Sequence, residues 1–163
     1  MSEEQIALAK RAVACKGWRW MPGMNALGRL DQDGAVLRLH DVRRTHVGFE
    51  LKGGVFDWRE RTDGRWLCLH GGDVIGSPCE VLPDLTDPAT LGCLLALVRD
   101  AYGDSALYVR LSDTTRQSDG VRAWEVLGWI SAERSRDGRG GSWRGWGYVS
   151  EAEALVAALE AAP

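Results

Sequence analysis

A chain of 163 residues with 45% apolar content is long enough to build a hydrophobic core, which excludes wholesale disorder and bounds the molecule to one domain, or one with a small appendage. A formal net charge of −3 is too mild for an obligate nucleic-acid binder, although a local basic patch is compatible with it. Eight tryptophans stand against two phenylalanines, and Trp serves both cores and interfaces.

The N-terminus "MSEEQIALAKRAVAC" begins acidic and reaches no apolar run of signal-peptide or membrane length. A cytoplasmic setting without a membrane partner is expected, with Cys15, Cys68, Cys79 and Cys93 reduced. Residues 2–16 read as a helix. Ser2 and Gln5 have capping-box spacing, Glu3 and Glu4 open the first turn, and Lys10, Arg11 and Lys16 lie towards the far end. Gly17 is the expected stop. "WRWMPGMNALG" follows, with Pro22 and Gly23 forcing a turn.

From residue 35 to 70 the period changes to two. "AVLRLHDV", "HVGFEL", "VFDWRER" and "RWLCLH" are short alternating runs, and Asp63-Gly64 is a hairpin signal. Their connections are too short for parallel crossovers, so a four-stranded antiparallel meander is expected. Residues 71–86 read as a Gly/Pro-punctuated connector. A helix over 87–102 follows, capped by Asp87, entered at Pro88 and ended by Gly103. Its stripe is Leu91, Leu94, Leu95, Val98 and Tyr102. "ALYVRL" reads as a strand and residues 112–123 as a polar loop. Residues 124–149 read as a hairpin with a Gly-rich tip, its first arm compatible also with a short helix. A helix over 151–161 closes the chain, with Ser150 and Glu153 as a second capping box and Ala152, Leu155, Val156 and Leu159 as its buried stripe. The expectation is a single α+β domain: an antiparallel β-meander sheet with an additional C-terminal hairpin, covered by about three helices.

The stretch "RSRDGRGGSWRGWGYVS" at 134–150 raises the main functional question. Arg-Gly-Gly segments with aromatics can bind single strands by charge and stacking. Yet residues 131–146 hold four arginines against two acids, a weak field, and Gly138, Gly140 and Gly141 suit a plain hairpin tip. In a regular strand, Trp146 and Tyr148 share one face with Arg144 while Trp143 points the other way. The other aromatic segment, Trp18 to Met24, reads either as an exposed anchor or as packing between helix and sheet.

His40, His46, Cys68, His70 and Cys79 lack the close pairs of a zinc site, so neither a metal nor a cofactor is expected. No G-x-S-x-G elbow, P-loop lysine or dinucleotide fingerprint is present. Asp84 and Asp87 are explained by turn and cap chemistry, and Asp57, Glu60 and Asp63 alternate with Arg59, Arg61 and Arg65 as a solvated hairpin surface. No catalytic residue is assigned.

The segments "LPDLTDPATLGCLLALVRDAYG" and "VSEAEALVAALEAAP" resemble stretches of small uncharacterised proteins predicted from phage and prophage genomes. The resemblance covers the second helix and the C-terminal tail. It implies a phage protein acting in the host bacterial cytoplasm and carries no activity, cofactor or site residue. With Trp and Arg abundant and no catalytic constellation, the expected function is non-enzymatic recognition of a protein partner, a host or defence factor being one version. The expected surface is Trp18, Arg19, Trp20, Arg139, Trp143, Arg144 and Trp146. A nucleic-acid binder using the Arg/Gly/Trp hairpin, an enzyme of unknown class and a homodimer are the alternatives.

Overall fold

Alternation in the sequence becomes strands, and the apolar stripes become helices. The computed structural model describes residues 2–29, 36–44, 49–53, 56–60, 66–70, 73–115, 122–130 and 141–163; within these, positions 28–80, 113–115, 129–130, 141–144 and 146 are described by their backbone. The elements in chain order are α1 (Glu3–Ala14), β1 (Ala26–Arg29), β2 (Val36–Arg44), β3 (Phe49–Gly53), β4 (Phe56–Glu60), β5 (Trp66–His70), β6 (Asp73–Pro83), α2 (Pro88–Tyr102), β7 (Tyr108–Thr115), β8 (Arg122–Ile130), β9 (Gly141–Tyr148) and α3 (Glu151–Glu160). The protein is α+β: the described residues form antiparallel strands, a C-terminal hairpin and three helices. It divides into two compact units, Trp20–Cys93 and Ser2–Arg19 with Leu94–Pro163, the division falling inside α2.

In the first unit the four meander strands are β2 to β5, paired antiparallel in sequence order. The meander does not stop there. β1 pairs with both β2 and β6, and six strands close into a barrel. The turn at Pro22 and Gly23 is present, with Gly23 at φ 93°, and β1 begins after it at Ala26; the segment read as a connector, 71–86, is mostly strand, β6. Gly76 and Pro78 suggested a connector because Pro cannot donate to a ladder. The register explains why the strand tolerates them. Between the pairs Trp66↔Cys79 and Cys68↔Gly76, β6 has one residue more than β5, and Pro78 falls in that bulge.

A hydrogen-bond knot joins the ends of β1 and β6 to the start of α2. Thr90 is fully buried; its hydroxyl accepts from the Asn25 amide at 2.9 Å and lies 3.2 Å from the Asn25 carbonyl and 3.0 Å from Asp87 Oδ2. The Asp84 amide donates to the Asn25 carbonyl at 2.9 Å. Asp87 caps the helix as expected, accepting from the Thr90 amide at 2.8 Å. Burial works to raise the Asp87 carboxyl, but hydrogen bonds from the Thr90 amide and hydroxyl, then Asn25 and Ala89, hold it below its ordinary value.

In the second unit β7, β8 and β9 form an antiparallel sheet in that order, and α3 lies against all three strands. The first arm of the expected hairpin is a strand, which closes the helical alternative. Leu94, Leu97, Val98, Tyr102, Leu107, Val126, Leu155 and Val156 are buried at 1% exposure or less. Each such leucine or valine contributes roughly 1.5–3 kcal/mol by leaving water. The stripe of α2 is turned slightly from the expected one: Leu91 and Leu95 are half-exposed, and Leu97 is inside. α2 ends in a Schellman motif at Gly103 (φ 67°), with the Gly103 amide on the Asp100 carbonyl and the Asp104 amide on the Arg99 carbonyl.

The Ser2–Gln5 capping box of α1 is complete. The second is half-formed: Ser150 accepts from the Glu153 amide, whereas the Glu153 carboxylate accepts from the Val149 amide. α1 ends at Ala14, with Cys15 extended, two residues before the expected limit. Gly17 serves close approach, since a Cβ there would stand 3.1 Å from Leu159 Cδ1. α1 packs on α3, and Arg11 grips Glu160 through two hydrogen bonds of 2.9 and 2.7 Å. Among the described residues no helix is long and apolar enough to cross a membrane.

Candidate functional site

The expected recognition residues separate by location. Trp143, Arg144 and Trp146 lie on β9, an outer strand of the three-stranded sheet. Arg139 lies outside the described residues. Trp18 is half-buried, and Trp20 is buried to 7% exposure, so its ring is not a surface anchor. Arg19 is exposed and pairs with Asp100 at 3.2 Å. Exposed pairs of this kind contribute little. β9 is the strand that groups three of the seven.

β9 pairs with β8 through six consecutive partners, from Glu125↔Trp146 to Ile130↔Gly141. The next pair is Trp124↔Tyr148, so Gly147 is an extra residue in β9. Its φ of 92° lies in the left-handed region, where a bulge of this kind takes glycine. The bulge interrupts the expected alternation: the strict period of two does not run on across Gly147.

The register also forms a row that composition did not reveal. Arg110 on β7 is opposite Glu125 on β8, and Glu125 is opposite Trp146 on β9. The Glu125 side chain is fully buried, and its Oε1 accepts from Arg110 Nε at 2.6 Å while Arg110 stays 47% exposed. A buried carboxylate is tolerated when a charged donor meets it, and the exposed guanidinium keeps part of its hydration. Tyr108 and Leu111 flank Arg110 on β7 with 44% and 42% exposure. The available signal was Glu125 inside the apolar run "AWEVLGW": a charge there needs a partner, but only pairing names Arg110.

The same unit holds a groove of about 480 Å³ lined by Arg11, Cys15, Lys16, Leu159 and Glu160 among others. Burial, then the neighbouring Glu160 carboxylate, pushes the Cys15 thiol up against the opposing pull of Arg11. At neutral pH it stays a thiol and a poor nucleophile. Among the described residues no three of His, Cys, Asp and Glu gather as metal ligands. The side chains of His40, Cys68, His70 and Cys79 lie outside the described residues, as does all of His46; the barrel register sets His40 opposite Lys52, Cys68 opposite Trp58 and His70 opposite Phe56. Comparison with protein families, with curated proteins and with solved structures finds no match to this chain.

Proposed function

We propose that this chain is a small non-enzymatic accessory protein of phage type that holds a protein partner, a host or defence factor, through strand β9. The carrying observation is that Trp143, Arg144 and Trp146 fall together on an outer strand. Trp and Arg are enriched among the few residues that dominate the energy of protein interfaces. Trp20, buried, is left out of the surface, and Arg19, Trp18 and Arg139 are secondary to it.

Affinity capture from a bacterial lysate tests the reading, comparing wild type with Trp143→Ala/Trp146→Ala. The expected result is loss of one specific partner while the backbone amide spectrum of β7 and β8 is preserved. Loss of the fold would assign the two rings to the core. Capture of nucleic acid, with affinity falling steeply as salt rises, would favour the nucleic-acid alternative.

A further inference from the structure

We infer that the partner bound at β9 supplies an extended acidic segment that adds to the sheet as a fourth strand; this rests on the proposed function and specifies its mode. Among the described strands β9 is hydrogen-bonded to β8 alone, so one row of its amides and carbonyls faces away from the ladder. α3 lies against all three strands, and no other described strand pairs with the outer edge of β9.

The two outer strands differ in how well they template a neighbour. β7 pairs regularly over Tyr108–Leu111 and then slips before Thr115, which breaks its edge. β9 runs regularly over Gly141–Trp146, six residues without a proline, with its bulge placed after them at Gly147. A regular run of that length suffices for strand addition, in which main-chain hydrogen bonds provide affinity and alternate side chains provide choice.

Charge selects the occupant. β9 contains Arg144 and no acidic residue, so a strand carrying glutamate or aspartate at alternate positions is complementary and a basic one is repelled. The same bias disfavours a second copy of β9, which would set arginine near arginine.

The test uses the full chain, ¹⁵N-labelled, and a capped octapeptide alternating glutamate and valine. Addition of peptide should protect alternate amides of 141–146 from exchange. Two N-methylated peptides, blocked at odd or at even positions, should then diverge: one loses binding at least roughly tenfold, because several main-chain bonds vanish together, and the other does not. Arg144→Glu should weaken the glutamate peptide and favour its lysine counterpart. Equal binding of both N-methylated peptides would overturn strand addition while leaving a side-chain interface at β9 intact. No protection of 141–146, or binding there of an oligothymidylate in place of peptide, would overturn it as well. Loss of the lysate partner in the Trp143→Ala/Trp146→Ala variant, with equal binding of the N-methylated peptides, separates failure of the mode from failure of the function.

Discussion

At the residue scale, the interior of the second unit is decided by single atoms. A Cβ on Gly128 would stand 2.7 Å from Leu107 Cδ1, 3.0 Å from its Cγ and 3.2 Å from Asp104 Oδ2. Leu107 is fully buried, so displacing it disturbs the core. Gly128→Ala is therefore expected to destabilise by about 1–3 kcal/mol, read as a lower urea midpoint at unchanged slope. Tyr102 is also buried, and its hydroxyl donates to the Ala158 carbonyl at 3.1 Å. That carbonyl lies in the last turn of α3, where intrahelical donors run out and the Ala162 amide turns to Leu159. Tyr102→Phe should cost about 1 kcal/mol.

The same tyrosine sets an alkaline limit. Burial first, and the Tyr148 phenol second, push the Tyr102 hydroxyl from 10.0 to about 12. The folded state therefore keeps a proton that the unfolded chain releases. The associated stability is complete below pH 10 and is lost as pH rises from 10 to about 12. Urea titrations across that window should show a decline that is shallower in Tyr102→Phe; equal slopes would remove Tyr102 as its source.

At the element scale, local rules and register divide the work. The capping box of α1, the Asp87 cap and the glycine stop of α2 were legible because each satisfies backbone groups with residues a few positions away. β6 was not legible, since Pro78 reads as a breaker until a neighbouring strand shows the bulge that accommodates it. Gly147 is the same lesson at the candidate site. A Cβ there would meet nothing within 4 Å, so the positive φ of the backbone is the sole obstacle to substitution. Gly147→Ala should cost about 1 kcal/mol and perturb the amides of Trp124 and Tyr148, whose pairing depends on that bulge. Unchanged stability and shifts would show that the bulge tolerates an ordinary residue.

At the scale of the whole molecule, the second unit is assembled from both ends of the chain. α3 buries six residues, whereas α1 buries Ala9 and Ala12. Native-state hydrogen exchange should therefore show α1 opening at lower free energy than α3, with α3 exchanging near the global limit. Matching values would mean that the two helices unfold as one. The Arg11–Glu160 pair will not cancel the difference, because both side chains are substantially exposed and such pairs are weak.

The sequence by itself determined the α+β composition, the three described helices with their N-caps at Ser2, Asp87 and Ser150, and the alternation of the meander strands. Each follows from short-range periodicity and from the need to satisfy nearby amides. Tertiary structure alone decided that β1 and β6 close a barrel, that Arg110 meets Glu125, and that Trp143, Arg144 and Trp146 lie on an outer strand. Those outcomes depend on which distant segments pair and in what register, and a two-residue repeat is the same for every partner a strand could choose.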